Sequence, residues 1–217
     1  MQIAIDGPAG AGKSTIAKII AKNLNILYLD TGAMYRAITY GIWKNAIDFN
    51  QQEAIILFTQ KSRIDFEGEH VFLNGDNVTD EIRLPIVSRH TSDVACIRAV
   101  REILVKQQQA IAGNRSVIMD GRDIGSVVLP HADFKFYLDA SIEERAERRM
   151  KDFINKGIEK CLEDVKEDIA QRDYNDSHRE ESPLICAEDA IVVDTTGKNI
   201  QEVCEIITHF IEGGHCR

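Results

Sequence analysis

The sequence predicts an α/β fold built on a five-stranded parallel sheet. Two features predict it: short apolar runs that each end in an aspartate, and amphipathic helical stretches that separate these runs. The runs lack a clean alternation of apolar and polar residues, which is typical of strands buried on both faces of a parallel sheet. The predicted strands are Ile3–Asp6, Ile26–Asp30, Val117–Asp120, Phe134–Asp139 and Ile191–Asp194.

The clearest helical patterns lie at Ser14–Asn23, which places isoleucines on one face, and at Ile200–Ile211 near the end of the sequence. Ligands of open parallel sheets bind beyond the carboxyl ends of the strands, so the aspartates that end these strands are expected to line a binding crevice. For Asp139 we favour a second interpretation, in which it caps the helix that follows at Ser141.

Two segments interrupt the alternation of strand and helix. Residues 62–80 are predicted to form a small antiparallel insert, because apolar positions are separated by turn signals at Gly68 and at Asn74-Gly75. Residues 141–182 hold nine basic and thirteen acidic residues among 42, which is typical of a solvated helical pair. We expect this charged pair to be a lid that is mobile without ligand.

Length and charge limit the classes of function. A chain of 217 residues predicts one domain with an insertion, and a net charge of −9 disfavours nucleic-acid and membrane-surface partners. Met1–Asp6 has no basic leader or long apolar stretch, so we expect a cytoplasmic protein without a signal peptide. The odd cysteine count without a C-x-x-C pair predicts neither disulfides nor a zinc site. The cysteines are Cys96, Cys161, Cys186, Cys204 and Cys216.

One phosphate-binding motif follows the first predicted strand and opens the first helix. It reads Gly7-Pro8-Ala9-Gly10-Ala11-Gly12-Lys13-Ser14, and we call it the P-loop. Its backbone N–H groups are expected to surround a polyphosphate at the positive end of the helix dipole. Lys13 would reach the β and γ oxygens, and the Ser14 hydroxyl would join the shell of a Mg²⁺ ion. The alternative is a glycine-rich turn without a ligand.

A P-loop alone does not identify the reaction, because switch GTPases, transport ATPases and small-molecule kinases all use one. The guanine-selecting N-K-x-D element is absent: Asn155-Lys156-Gly157-Ile158 lacks the aspartate, and Asn45-Ala46-Ile47-Asp48 lacks the lysine. A kinase with a small anionic acceptor remains, beside the rival of an ATP switch that binds a partner protein. Such a kinase needs arginines that neutralise the acceptor phosphate. The candidates are Arg36, Arg101, Arg122, Arg145, Arg149, Arg172 and Arg179.

Two of these arginines lie in similar clusters just past strand ends, in Asp30–Arg36 and in Asp120–Gly125. The arginines of the run Ala140–Arg149 have an alternative to phosphate binding. There Arg145, Arg148 and Arg149 could instead pair with neighbouring glutamates on an exposed helix.

With these motifs the sequence resembles the bacterial cytidylate kinases, a branch of the P-loop nucleoside monophosphate kinases. The matching stretches are Asp6–Thr15, Asp30–Arg36, Asp120–Gly125, Ala140–Arg149, and Arg172-Asp173 with Asp176 and Arg179. The resemblance implies a three-layer P-loop kinase that transfers the γ-phosphoryl group of ATP, with Mg²⁺, to CMP or dCMP. We also expect a cytoplasmic monomer. The preference among CMP, dCMP and UMP stays open.

The resemblance also implies a division of the single domain, residues 1–217. The core would take in about 1–35, 84–140 and 183–217, with a monophosphate-binding insert at about 36–83 and a lid at about 145–182. In place of a basic residue found in some relatives, the lid carries Asn175. Cys161 in the lid and Cys186 just after it are too few for the four-cysteine zinc lid of some adenylate kinases.

The resemblance further implies roles for individual residues, with Lys13, Arg122 and Arg172 as catalytic residues. ATP would be bound by Gly7, Pro8, Ala9, Gly10, Ala11, Gly12, Lys13, Ser14 and Thr15. The monophosphate would be bound by Thr31, Tyr35, Arg36, Ser92, Arg101, Arg122, Asp123, Arg172, Asp176 and Arg179.

Within the monophosphate set, the resemblance places Ser92, Arg101, Asp123 and Arg179 around the base. It places Arg36, Arg122 and Arg172 at the phosphate and Asp176 at the ribose. Cytosine offers an amine beside ring acceptors, so a carboxylate next to cationic or hydroxyl donors suits it. Without the resemblance, Tyr35 could be a packing residue and Ser92 a plain surface residue.

Overall fold

The computed structural model describes residues 1–155 and 157–213 and divides into two compact units. The first unit contains Met1–Leu29 and the chain from Asn114 onward, and the second contains Asp30–Gly113. Two residues of the motifs and cysteines considered above, Lys156 and Cys216, lie outside the described residues.

The described residues form eight strands and eight α-helices. The strands are β1 (Gln2–Asp6), β2 (Leu27–Asp30), β3 (Ile64–Glu67), β4 (His70–Leu73), β5 (Asp76–Asn77), β6 (Val117–Asp120), β7 (Phe134–Asp139) and β8 (Ile191–Asp194). The α-helices are α1 (Lys13–Leu24), α2 (Thr31–Lys44), α3 (Gln52–Lys61), α4 (Pro85–Ala95), α5 (Arg98–Ala112), α6 (Ile142–Asn155), α7 (Leu162–His178) and α8 (Ile200–Gly213). A 3₁₀ turn lies at Glu81–Arg83 and a π-helix at Ile124–Val128.

The predicted five-stranded sheet is confirmed and has the order β2-β6-β1-β7-β8. Strand β1 runs parallel to both of its neighbours, and β7 runs parallel to β8. Because β1 is central, the P-loop that follows it begins in the middle of the carboxyl edge. The aspartates that end β1, β6 and β7 lie at that same edge, as the sequence pattern of apolar runs ending in aspartate predicts.

Helices α1 and α8 cover the sheet with apolar side chains. Ile16 and Ile20 of α1 pack in one buried cluster with Ile5, Phe136 and Ile207. These side chains are at most 3% exposed. Removing a side chain of this size from such a core costs about 2–5 kcal/mol. The rigid base of the P-loop therefore depends on apolar packing beneath it.

The second unit contains the predicted antiparallel insert, which the structure confirms as the sheet β3-β4-β5. Residues 68, 74 and 75 take positive φ angles of 59°, 53° and 89°. Glycine and asparagine adopt this region more readily than other residues, so the turn signals read in the sequence mark real turns. Helix α2 packs against this sheet through Gly41, next to Phe58 and Leu73.

The charged segment forms two helices, α6 and α7, as the sequence predicts, but they are not held by charge alone. Ala146, Val165 and Ile169 are at most 6% exposed and form a small apolar core between the helices. Phe153 and Leu162 extend this core. The predicted mobility of this lid remains a prediction.

The cap of α6 differs from the expectation. Asp139 accepts a hydrogen bond from the Ala140 N–H at 2.8 Å, whereas the Glu144 N–H in the first turn of the helix donates to Ser141 Oγ at 3.3 Å. The favoured interpretation of Asp139 as the helix cap was therefore wrong. Ser141 is closer along the chain to the open amides of the helix.

The close packing at Gly41 yields a stability prediction. A Cβ atom at this position would lie 2.4 Å from Phe58 Cζ and 2.8 Å from Leu73 Cδ2. We expect Gly41→Ala to lower the free energy of unfolding by about 1–3 kcal/mol, because this overpacking outweighs the better helix propensity of alanine. Urea unfolding measures the change. Gly213→Ala is the control, since no atom lies within 4 Å of its added Cβ, and equal stability of both variants would contradict the packing.

Candidate functional site

The P-loop depends on glycine at its first position. Gly7 has a φ of 142°, and a Cβ there would lie 2.0 Å from the Leu138 carbonyl oxygen. Gly12 has a φ of 87° and precedes the first turn of α1. Positive φ at both ends lets the main chain turn sharply from β1 into α1. The loop predicted from sequence therefore has the backbone that a phosphate-binding turn requires.

Lys13 is held inside this turn. Its Nζ donates to the Pro8 carbonyl oxygen at 2.6 Å, and the residue is 6% exposed. Burial holds the pKa of the Lys13 ammonium well below its ordinary value, and the nearby charges of Arg122 and Arg172 lower it further. Three cationic side chains thus share one region, which favours the binding of an anion.

Ser14 lies beside a carboxylate at the end of β6. Its hydroxyl donates to Asp120 Oδ2 at 2.7 Å, and the Tyr28 hydroxyl donates to the other oxygen at 2.8 Å. Asp120 is 4% exposed. The two hydrogen bonds fix the carboxylate next to the serine that the sequence assigns to Mg²⁺. Sequence reasoning placed Asp120 at a strand end, among the aspartates expected to line the crevice and at the start of the Asp120–Gly125 cluster, but gave it no contact with Ser14, and nothing near Tyr28 in the chain indicated its role.

Asp6 holds the segment that follows Asp120. Its carboxylate accepts hydrogen bonds from the Ile124 N–H at 2.8 Å and from the Gly125 N–H at 2.7 Å. These amides begin the π-helix, in which the Asp123 carbonyl oxygen accepts from the Val128 N–H at 3.1 Å. Burial raises the pKa of Asp6 to about 6, although the two amides act in the opposite direction.

Three arginines surround Asp176 on α7. Arg122 Nε donates to Asp176 Oδ2 at 2.7 Å, with side chains 16% and 11% exposed. Arg172 Nε lies 4.0 Å from the same oxygen, and Arg179 Nη1 lies 3.9 Å from Oδ1. Burial tends to raise the pKa of Asp176, but the three guanidinium groups outweigh it and hold that pKa below its usual value. The carboxylate is therefore ionised and acts as their shared counterion.

Arg179 joins this cluster to the predicted base-reading carboxylate. Its Nη2 lies 3.8 Å from Asp123 Oδ1, and both side chains are at most 7% exposed. Its Nε donates to the Ser182 carbonyl oxygen at 2.6 Å. The structure thus brings together Lys13, Arg122, Arg172, Asp176, Asp123 and Arg179, all of which belong to the first unit.

The remaining predicted residues belong to the second unit. Arg36 pairs with Asp30 at 2.7 Å, within a helix that Asp30 caps through the Ala33 N–H. The Arg101 guanidinium lies over the Tyr35 ring, 5.4 Å from its centroid, and both residues are buried. Thr31, the first residue of α2, is buried, and Ser92 is half-buried in α4. Tyr35 therefore has a packing contact with a residue predicted to bind the base.

The arginines of α6 have separate surroundings. Arg148 pairs with Glu144 at 3.0 Å and also donates to the Thr195 carbonyl oxygen at 2.7 Å. Arg149 lies 4.0 Å from Asp152. Arg145 instead is buried and forms an ion pair with Asp173 of α7. The predicted pairing with a neighbouring glutamate therefore describes Arg148, whereas Arg149 lies near an aspartate and Arg145 pairs with another helix.

No metal-binding cluster of three His, Cys, Asp or Glu side chains is found among residues 1–155 and 157–213. Cys96, Cys161, Cys186 and Cys204 form no disulfide within the described part of the chain. No helix in the described part of the chain is long and apolar enough to cross a membrane.

Comparison with known proteins gives consistent matches. The model of the cytidylate kinase family matches residues 3–213. The cytidylate kinase of Clostridioides difficile is 54% identical over 203 residues, which cover 94% of each chain. That of Streptococcus pneumoniae strain 70585 is 54% identical over 212 residues, or 95% of each chain. A crystal structure of an uncharacterized protein from Eubacterium ventriosum has a TM-score of 0.57 at 12% identity over 98% of both chains, and so shares the fold.

The raised pKa of Asp6 yields a prediction about stability and pH. The folded protein holds this proton more tightly than the unfolded chain, whose carboxyl has a pKa of 3.8. Ionisation of Asp6 between pH 4 and pH 7 should therefore cost the folded state about 2 kcal/mol. Asparagine does not titrate. The unfolding free energy of the parent, minus that of Asp6→Asn, should fall as the pH rises across this window.

Urea unfolding of both proteins at pH 4, 5, 6 and 7 measures this difference. A difference that stays constant over the four pH values would contradict the raised pKa.

Proposed function

The chain belongs to the cytidylate kinase family, and we propose how its side chains divide the work of that reaction. It transfers the γ-phosphoryl group of ATP to CMP or dCMP, giving ADP and CDP or dCDP. The observation that carries the proposal is the cluster of Arg122, Arg172 and Arg179 around Asp176, with the first two close enough to Lys13 to lower its pKa.

ATP is proposed to bind along Gly7–Thr15 through backbone N–H groups and Lys13. An ammonium that is buried and surrounded by other cations gains most when a polyphosphate arrives, because the anion restores favourable charge around it. Lys13 would then leave the Pro8 carbonyl and follow the charge that moves onto the transferred phosphoryl group. Its role is electrostatic, since phosphoryl transfer depends on positioning and on stabilised charge.

Mg²⁺ is proposed to bind with ATP. The Ser14 hydroxyl and the Asp120 carboxylate are hard oxygen donors held within 2.7 Å of each other, and this donor set fits a Mg²⁺ ion that takes its other ligands from phosphate and water. Tyr28 keeps the carboxylate in place. The ion would neutralise phosphate charge, while the protein orients the reacting groups.

The monophosphate is proposed to bind at Asp176 and its arginines. Arg122 and Arg172 would hold the acceptor phosphate, because guanidinium groups neutralise a phosphate that must approach another phosphate. Asp176 would accept a hydrogen bond from the ribose through Oδ1, since Arg122 binds Oδ2. A shared counterion keeps the arginines in place before the substrate arrives.

Recognition of the base is proposed to use Asp123 and Arg179. The carboxylate would accept from the cytosine amine, and the guanidinium beside it would donate to the ring acceptors. From the second unit we propose Thr31, Tyr35, Arg36, Ser92 and Arg101 as further monophosphate-binding residues. For Arg101 the support is burial at 3% exposure, because a buried guanidinium beside a phenol ring suits a planar, polar ligand.

We also propose a monomer in the cytoplasm, with a single kinase domain divided into core, insert and lid as the sequence predicts.

Lys13 provides a direct test of the P-loop. We expect Lys13→Ala to lower kcat about 100-fold or more while the protein stays folded, because the charge that follows the phosphoryl group is lost. The measurement is ADP release with CMP at saturating ATP. Lys22→Ala is the control, since Lys22 is exposed at the end of α1. Turnover of the Lys13 variant within threefold of the parent (~0.7 kcal/mol) would contradict its role.

Asp123 provides a test of base recognition. We expect Asp123→Asn to raise the KM for CMP about 10-fold or more and to leave the KM for ATP nearly unchanged, because a neutral amide oxygen accepts from the cytosine amine more weakly than a carboxylate does. Asp139→Asn, which changes an exposed carboxylate at another strand end, should change neither constant. Similar increases for both nucleotides would mean that Asp123 acts on the fold and not on the base.

A further inference from the structure

One ion pair holds the main chain of the P-loop from both sides. The Ala9 N–H donates to Asp173 Oδ1 at 3.1 Å, and Arg145 Nη1 donates to the Ala9 carbonyl oxygen at 3.0 Å. Arg145 and Asp173 also bind each other directly. Both polar groups of Ala9 are therefore occupied by the two members of one pair.

This pair is more firmly placed than the exposed ion pairs of α6 and α7. The Arg145 side chain is 9% exposed and that of Asp173 is 21% exposed. Arg145 Nε also donates to the Ala140 carbonyl oxygen at 3.0 Å. By contrast, Lys160 and Asp168 pair at the surface with side chains 36% and 65% exposed. Exposed pairs contribute little to stability, whereas a pair that is largely withdrawn from water fixes its neighbours.

We propose that Asp173 is a positioning residue for phosphoryl transfer, which acts with Arg145 by holding Ala9 and so fixing the P-loop against α7. The helix α7 also carries Arg172 and Asp176, so the same contact sets the distance between the P-loop and these residues. This last step rests on the roles proposed for them above. The clamp itself depends only on Ala9, Arg145 and Asp173, and it opposes the lid mobility predicted from the sequence at the helix turns that carry Arg145 and Asp173.

The charge of Asp173 makes Arg145 essential to the arrangement. A carboxylate beside a P-loop repels the polyphosphate that must bind there, unless a cation neutralises it. Arg145 supplies that cation. Loss of Arg145 alone should therefore harm ATP binding more than loss of Asp173, because it leaves an unpaired anion next to the loop. Removing both charges should restore part of the affinity.

The test is a double-mutant cycle with Asp173→Asn, Arg145→Gln and the combined variant, measured by kcat and by the KM for ATP and for CMP. We expect Asp173→Asn to raise the KM for ATP at least about 5-fold and Arg145→Gln at least about 20-fold, while the double variant falls back to within about 3-fold of Asp173→Asn. The KM for CMP should stay within about 2-fold. Asp168→Asn is the control for an exposed carboxylate on the same helix.

Hydrogen exchange of residues 7–14 without nucleotide is the second measurement. Exchange should become faster in Asp173→Asn and stay unchanged in Asp168→Asn. A KM for ATP that falls in Asp173→Asn would overturn the proposal, because the carboxylate would then compete with the nucleotide. A KM for ATP and an exchange rate equal to those of the parent would also overturn it.

If these variants do not fold, hydrogen exchange of the parent protein alone tests the proposal. The Ala9 amide should exchange slowly in the free enzyme, because its N–H donates to Asp173, and rapid exchange there would overturn the clamp. The proposed function is judged separately. Loss of turnover in Lys13→Ala tests the P-loop chemistry, whereas the pattern of KM for ATP in the cycle tests the clamp.

Discussion

Cations that bind phosphate must be assembled before the phosphate is present, and this constraint organises the first unit. Like charges brought together out of water repel one another, and each loses solvation, so a folded chain can hold them only with internal counterions. Asp176 is the counterion of Arg122, Arg172 and Arg179, and Asp173 is the counterion of Arg145. Lys13 lies near Arg122 and Arg172, which together with burial lower its pKa. The remaining cost is offset when the substrates bring their own negative charge.

The sheet provides the rigid edge from which these counterions are arranged. Asp6 and Asp120 end the adjacent strands β1 and β6, and each is bound by at least two hydrogen bonds. Their carboxylates organise backbone amides and a serine hydroxyl and do not face solvent. A chain with a net charge of −9 can thus maintain a locally cationic region. The sign of the whole-protein charge says little about such a site.

The short-range patterns of the sequence were enough to predict the strands, the P-loop, the antiparallel insert and the helical nature of 141–182. Each depends on residues that are close in the chain: an apolar run, a glycine spacing, a turn dipeptide. The clamp on Ala9 could not be predicted in this way, because Arg145 and Asp173 are separated by 28 residues and by the end of one helix. Arg145 has glutamates close by on its own helix, so sequence proximity favours the wrong partner. The prediction of the α6 cap was wrong for a similar reason, since two neighbouring polar residues, Asp139 and Ser141, could both cap the helix and only the geometry selects Ser141.

The π-helix at Ile124–Val128 limits which deletions the binding site could tolerate. Its Val128 and Leu129 amides bond to carbonyls five residues earlier, so the turn contains one residue more than an α-helix would need. Removing that residue would leave a turn that can still satisfy its backbone as an α-helix. It would also rotate the preceding Arg122 and Asp123 by about 100° relative to the chain after Val128, because each helical residue advances by that angle. A deletion in this segment would therefore preserve the fold but disrupt the binding site. The extra residue of the π-helix is a fixed part of the site's geometry.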